Sequence, residues 1–281
     1  MKKYWLIPVI TIILTVSILA GNNRIISMAP ALTDILIDLK VMDSVVGVTS
    51  YCKIPENYSK KVSEIGSALN PSYERILRLH PDLVLLYEEN NDIINFLDKN
   101  DIEYLTFKHK KINHILNTVK FLGNKLDRKK KAKLILNKIN KTISKIKKET
   151  NNNKRKKAIV VIGRNINTLE NIYIAGDDEF IGEILNILNI ENGYSGNIAY
   201  PKVSLESIIA INPDIIIEVM PELVKKYDKK KIKADWLRIN NLKAVKHNNI
   251  IIMGENFRIV PSTDIVNILK KLKMRIYGNK N

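Results

Sequence analysis

Two glutamates open nearly the same run of residues. Glu74 heads "ERILRLHPDLVLL" and Glu206 heads "ESIIAINPDIIIE", each with Pro-Asp seven and eight residues on; the copies stand 132 positions apart in a chain of 281. In both, the carboxylate lies near the start of a helix that stops at Pro, and an apolar strand follows. An acid in a first helical turn is favoured by the helix dipole by about 0.3–1 kcal/mol, which is reason enough for its presence. Matched exposed acids on two lobes also suit a two-footed partner carrying paired arginines. On the residues alone both readings stand.

Other chemistry-bearing residues are sparse. Cys52 is the single cysteine, so there is no intramolecular disulfide and no Cys-based zinc site; it reads as a small packed or cleft-edge side chain. His80, His109, His114 and His247 have no His-x-x-x-His spacing, and any of them would reach a metal only from a cleft loop. "GDDEF" at 176–180 differs by one letter from the signature of diguanylate cyclases. That signature needs a hairpin, whereas an amphipathic helix follows here, so Asp177 or Asp178 reads as a helix cap. No GxGxxG, P-loop, GxSxG or HExxH occurs, and the chain is read as a binding protein with no enzyme activity and no intrinsic cofactor.

These residues need elements to hold them. "RIISMAP" reads as a strand and turn, and "ALTDILIDLK" as a helix with Leu32, Ile35, Leu36 and Leu39 on one face and Thr33 near its cap. "SVVGVTS" is a strand, "PSYERILRLH" a helix with Ser72 as N-cap, "DLVLLY" an apolar strand, and "INFLDKNDIEYLTF" a further helix–strand pair. Such alternation predicts βαβ units and parallel sheets covered on both faces. From Ile112 to Thr150, apolar residues at Ala132, Ile135, Ile139, Ile143 and Ile146 recur among lysines, with no Gly or Pro from Lys125 to Lys157. That spacing predicts one long amphipathic helix with a basic exposed face. The grammar then restarts: strand "AIVVIGR", helices "DEFIGEILNILNI" and "SLESIIAI", strand "DIIIEV", a helix around "DWLRINNLKAV", strand "NIIIM", and a terminal helix from Pro261 to Tyr277. The expected fold is α/β, two doubly wound Rossmann-like lobes joined by a single long α-helix. Residues 22–111 form one lobe, 112–156 the connecting segment and 157–281 the other.

Composition sets the compartment. With 45% hydrophobic residues the chain is globular, and its net charge of +17 is strongly basic. The lysines are scattered among Asn and Ile with no aromatic stacking motif, which argues against nucleic acid as a partner. Attraction to an anionic membrane surface fits better, because "MKKYWLIPVITIILTVSILAGNN" has the layout of a signal peptide over residues 1–21. Its apolar run of about seventeen residues is at the lower limit for a spanning helix, so an uncleaved anchor is the alternative. "LAGN" at 19–22 would be a lipoprotein box if Asn22 were Cys; it is not, which excludes lipid attachment there. The protein is expected to be exported and periplasmic, or held at the membrane by this segment.

"VVGVTSYCKIP" followed by "NPSYERILRLHPDLVLL" resembles the class III periplasmic substrate-binding proteins of ABC importers. The likeness extends through "AGDDEFIGEILNILNIENGY", "DWLRINNLKAVKHNNIIIM" and "FRIVPSTDIVNILKKL", so that it covers nearly the whole mature chain. These proteins take up vitamin B12 and related corrinoids, ferric siderophores, or haem. The resemblance implies two α/β lobes on one rigid helix, a monomer, and a cobalt- or iron-containing chelate held between the lobes without large closure. It implies docking of Glu74 and Glu206 on arginines of an inner-membrane ABC permease dimer, whose ATPase supplies the energy. It places ligand contacts at Tyr51, Tyr87, Tyr200 and Arg258; aromatic faces stack on a flat macrocycle, and arginine pairs with a carboxylate or phosphate. A cleft tryptophan of the B12-binding members falls at Ala68, so the likeness to a corrinoid binder is incomplete.

Overall fold

The computed structural model describes residues 24–176 and 180–278. The leader at 1–21 and the cap expected at Asp177 or Asp178 lie outside them. The first lobe runs β1 (Ile25–Ser27), α1 (Pro30–Leu39), β2 (Val45–Val48), β3 (Ser63–Glu64), α2 (Tyr73–Arg78), β4 (Leu83–Tyr87), α3 (Asn91–Lys99) and β5 (Tyr104–Phe107). Its sheet has the order β3-β2-β1-β4-β5 with every pairing parallel. Leu83 to Leu86 of β4 are all buried, as a strand covered on both faces must be. The apolar face of α1 packs down as its spacing predicts, with Leu32, Ile35, Leu36 and Leu39 buried. Its cap is different: Ala29 takes the N-cap position with Pro30 after it, and Thr33 lies within the helix. A buried Thr33 hydroxyl donates to Ser27 Oγ at 2.8 Å instead.

The connecting segment corrects the expectation of one helix from Ile112 to Thr150. It holds two, α4 (Ile112–Lys125) and α5 (Lys129–Thr150), folded back on each other. Asp127 adopts φ 52°, and the Arg128 amide returns to the Gly123 carbonyl at 2.7 Å, which closes the first helix. The lack of Gly and Pro concealed this break because an aspartate tolerates the left-handed region. Gly123 lies so close to Ala132 Cβ that any side chain there would collide with it. The 22-residue α5 spans about 33 Å at 1.5 Å per residue. It buries Ala132, Ile139 and Ile146 in one hydrophobic cluster that runs from Leu36 of α1 to Ile184 and Leu269 beyond. Both lobes therefore share packing on α5.

The second lobe comprises β6 (Lys156–Gly163), β7 (Ile172–Ile174), α6 (Phe180–Ile187), β8 (Ile190–Asn192), β9 (Lys202–Val203), α7 (Leu205–Ile211), β10 (Ile215–Glu218), α8 (Pro221–Lys226), α9 (Lys229–Leu237), α10 (Lys243–Lys246), β11 (Ile250–Ile252) and α11 (Ile265–Tyr277). Its sheet has the order β11-β10-β6-β7-β9, with β8 also paired to β6. Strands β8, β10 and β11 belong to the parallel part, while β7 runs antiparallel to β6 and β9. The short strands β7, β8 and β9 and helix α8 escaped the sequence pattern, and "DWLRINNLKAV" divides into α9 and α10. The terminal helix starts at Ile265, four residues later than expected.

The two copies of the repeated run are built alike. Ser72 and Ser204 cap the two helices by accepting from the amides of Arg75 and Ser207. His80 and Asn212 end them in the left-handed region at φ 41° and 46°. The following aspartates then clamp the central strand of each sheet. Asp82 accepts from the Arg24 amide at 2.7 Å, and Asp214 accepts from the Lys157 amide at 2.9 Å. The Ser and Asp positions of the repeat are thus held by backbone bonds.

Candidate functional site

Parallel sheets present ligands at the carboxyl ends of their strands, where successive loops diverge. Here those loops from the two lobes face each other. Tyr51 and Cys52 follow β2, Tyr87 closes β4 and His109 follows β5. From the other lobe, Arg258 follows β11, while Tyr200 precedes β9, at its amino end. Hydrogen bonds cross between the sides. Arg258 donates to the Tyr51 carbonyl at 3.3 Å, and Glu183 of α6 accepts from the Ile112 amide at 2.5 Å, capping α4 from the opposite lobe.

Tyr51 is 73% exposed and Tyr200 50%, large aromatic surfaces open to solvent. Tyr87 is partly buried and stacks on His109, with ring centroids 4.0 Å apart and 20° between planes. Burial, then the neighbouring Asp34, Cys52 and Glu89 charges, push the Tyr87 hydroxyl well above its ordinary range, so it remains a neutral donor. His109 also faces Glu89, its Nδ1 3.7 Å from the carboxylate. Sequence reading allowed His109 to reach a metal only from a cleft loop, and it lies on the loop after β5, just past "EYLTF". Cys52 is packed, its sulfur between the hydroxyls of Thr33 and Thr49 at 3.1 and 3.2 Å. Ala68 sits on the loop after β3, its carbonyl accepting from Asn90. Among the described residues no cluster of three or more His, Cys, Asp or Glu could hold a metal ion.

Glu74 and Glu206 occupy first turns on separate lobes, as the repeat requires. Their surroundings differ. Glu74 pairs with Arg78 one turn on, both side chains being exposed. Glu206 has its own backbone amide and then the Ser204 hydroxyl to hold its carboxyl below the usual range. Deeper in the second lobe lies a network that sequence reading missed. Arg164, just after β6, donates to Glu218 Oε1 at 2.6 Å and Asp235 Oδ2 at 2.7 Å, and all three side chains are at most 2% exposed. Trp236 Nε1 also donates to Glu218 Oε1, at 2.5 Å, while Glu218 Oε2 has no partner among the described residues. Burial pushes the Glu218 carboxyl upward against the pull of Arg164.

No helix among the described residues is long and apolar enough to cross a membrane. The family model for periplasmic binding protein matches residues 25–257. YvrC of Bacillus subtilis (strain 168), an uncharacterized ABC transporter substrate-binding lipoprotein, is 27% identical over 242 residues, covering 84% of this chain and 74% of its own. IsdE of Staphylococcus aureus (strain Newman), a high-affinity heme uptake system protein, is 28% identical over 272 residues, covering 93% and 89%. The structure of the periplasmic vitamin B12 binding protein BtuF of Vibrio cholerae superposes with a TM-score of 0.75 over 92% of this chain and 98% of its own; at 16% identity this is a likeness of fold alone. With a matching family model over most of its length and two α/β lobes on one connecting helix, the chain belongs to the periplasmic binding protein family, in its class III form.

Proposed function

We propose that the protein is the substrate-binding component of an ABC importer, exported by way of residues 1–21, and that it captures a metal chelate between lobes 22–111 and 157–281. The chelate is haem, with corrinoid and ferric siderophore as the competing cargoes. The observation that carries the reading is the meeting of post-strand loops from two sheets, where Arg258 reaches the exposed Tyr51. The relationship to a heme uptake protein over nearly the whole chain favours haem among the chelates, and Ala68 in place of a cleft tryptophan counts against a corrinoid. Tyr51, Tyr87 and Tyr200 supply aromatic surface to the chelate, and Arg258 pairs with its acidic periphery. Glu74 and Glu206 are the feet that meet the permease. Packing of both lobes on α5 favours capture with little change of lobe angle.

The test is absorbance titration of the exported protein with haem, cobinamide and ferric siderophores. Saturable binding of haem at micromolar affinity or better, with a shifted Soret band, is the expected result. Preference for cobinamide or a siderophore would replace haem as the cargo. Silence from every chelate by a folded protein would favour a membrane-anchored interaction protein that keeps the fold without transport.

A further inference from the structure

The positive charge of the chain is segregated. Residues 22–111 carry 11 basic and 13 acidic side chains, a net of −2, and residues 157–281 carry 18 and 14, a net of +4. The connecting segment, 112–156, carries 15 basic and 2 acidic ones, a net of +13. A general bias toward lysine would have loaded the first lobe as well. Nine of these basic residues are lysines of α5, which has one acid, Glu149. Helices α4 and α11 pack against α5; neither contains an acid, and together they add six basic residues.

Helix stability does not account for these lysines. Lys129, Lys130 and Lys131 open α5 with no acid in the first turn, where the dipole disfavours cations. Lys129 with Lys133, and Lys141 with Lys145, are like charges four residues apart, which repel. The helix buries Ala132, Ile139 and Ile146 against the lobes. At 3.6 residues per turn Lys130, Lys141, Lys145 and Lys148 project from the opposite side, and all four are exposed. Leu134, 63% exposed, lies among them. Among the described residues only Lys145 of the four has an acid within ion-pair distance, Glu149 at 3.9 Å, and that carboxylate also binds Lys273 at 2.5 Å. Lys138 belongs to the flank, beside Asp34 and Asp38 of α1. From Lys130 to Lys148 the stripe runs about 27 Å at 1.5 Å per residue.

We propose that the outer face of α5 docks the protein on an anionic phospholipid bilayer, with Lys130, Lys141, Lys145 and Lys148 on the headgroup phosphates and Leu134 entering the interface between them. A leucine set among lysines suits a surface that has apolar chains beneath its phosphates. Helix α5 has no aromatic residue on which a nucleic-acid base could stack. Because α5 is packed on both lobes, it presents the stripe as a rigid line to a flat partner. The contact does not depend on residues 1–21 or on which chelate is carried.

The test is co-sedimentation of the exported protein, freed of residues 1–21, with phosphatidylcholine vesicles that contain or lack phosphatidylglycerol. Binding at physiological salt to the anionic vesicles and not to the neutral ones is expected. Each basic residue at an anionic surface strengthens attachment about fivefold. The variant Lys130→Gln/Lys141→Gln/Lys145→Gln/Lys148→Gln should therefore bind at least about a hundredfold more weakly. Lys202→Gln/Lys226→Gln/Lys230→Gln/Lys246→Gln removes the same charge from exposed positions of the second lobe and should lose less than about fivefold. Urea denaturation checks that both variants fold; relief of like-charge repulsion should leave the first at least as stable as the natural protein. Leu134→Gln keeps every charge and should weaken vesicle binding about tenfold, so it carries the test if the fourfold change disturbs folding. No binding to anionic vesicles, equal binding to neutral ones, or equal losses in the two lysine variants overturns the docking face. Preference for duplex DNA over the anionic vesicles overturns it in favour of nucleic acid.

Discussion

Replacing Arg164 with methionine removes the positive charge from a buried trio and leaves Glu218 and Asp235 without their shared counter-ion. Deleting one partner of a buried ion pair costs about 3–5 kcal/mol, because the remaining charge stays desolvated. The Arg164 site is at this severe end: its guanidinium also donates to the Ile232 and Asn165 carbonyls, at 2.8 and 3.0 Å. With a urea dependence of about 2–3 kcal/mol per molar, the unfolding midpoint should fall by about 1–2.5 M. Trp236 reports the transition directly, because it touches the trio and the other tryptophan, Trp5, lies in the leader. The pH dependence has a fixed sign. Glu218 titrates higher in the folded protein than in the unfolded one, so the folded state binds more protons between the two values. Its contribution to stability is then greatest below the ordinary glutamate value of about 4.3 and declines as pH rises through the window above it. Loss of Arg164 widens that window, so the gap between variant and natural protein should narrow as pH falls from 7 toward 5. A destabilisation below about 1 kcal/mol, or a gap that does not change with pH, would refute the reasoning.

Three further changes probe other joints. Arg78→Ala frees Glu74 from its exposed partner, and a permease-binding assay should show docking roughly two- to fivefold tighter, the range of a weak surface pair; unchanged or weaker docking would count against Glu74 as a foot. Glu183→Ala uncaps α4 across the lobes and should cost about 1 kcal/mol of stability. Hydrogen exchange at the Ile112 amide should quicken in that variant, and unaltered protection there would contradict the bond. Gly123→Ala forces a methyl group against Ala132 between α4 and α5; overpacking of about 1–3 kcal/mol should appear in chemical denaturation, and a neutral result would mean the hairpin yields.

Local pattern and chain repetition settled much of the architecture before any coordinates. The spacing of Leu32, Ile35, Leu36 and Leu39 determines a buried helical face, and "DLVLL" determines a strand covered on both sides, because side-chain periodicity follows directly from backbone geometry. The doubled Ser-x-Glu…Pro-Asp element announces two lobes. It also marks the positions of Glu74 and Glu206, since caps and proline stops act within a few residues. The break at Asp127 was hidden because its cause is local conformation in a residue type that both helix and turn accept. Strands as short as β7 and β9 carry too few residues for a period, and pairing partners alone make them strands.

The site was legible only through resemblance. Tyr51, Tyr87, Tyr200 and Arg258 have no spacing that draws them together, and Tyr51 meets Arg258 from 207 residues away. Nothing in the sequence pairs Arg164 with Glu218 and Asp235. The sequence by itself determined which residues lie inside and where each lobe repeats, because burial is written in local periodicity. Tertiary structure decided which loops confront each other, which charges are neutralised and which are left open. Those outcomes depend on how two sheets pack on α5, and Coulombic and hydrogen-bonding partners are chosen by distance in space.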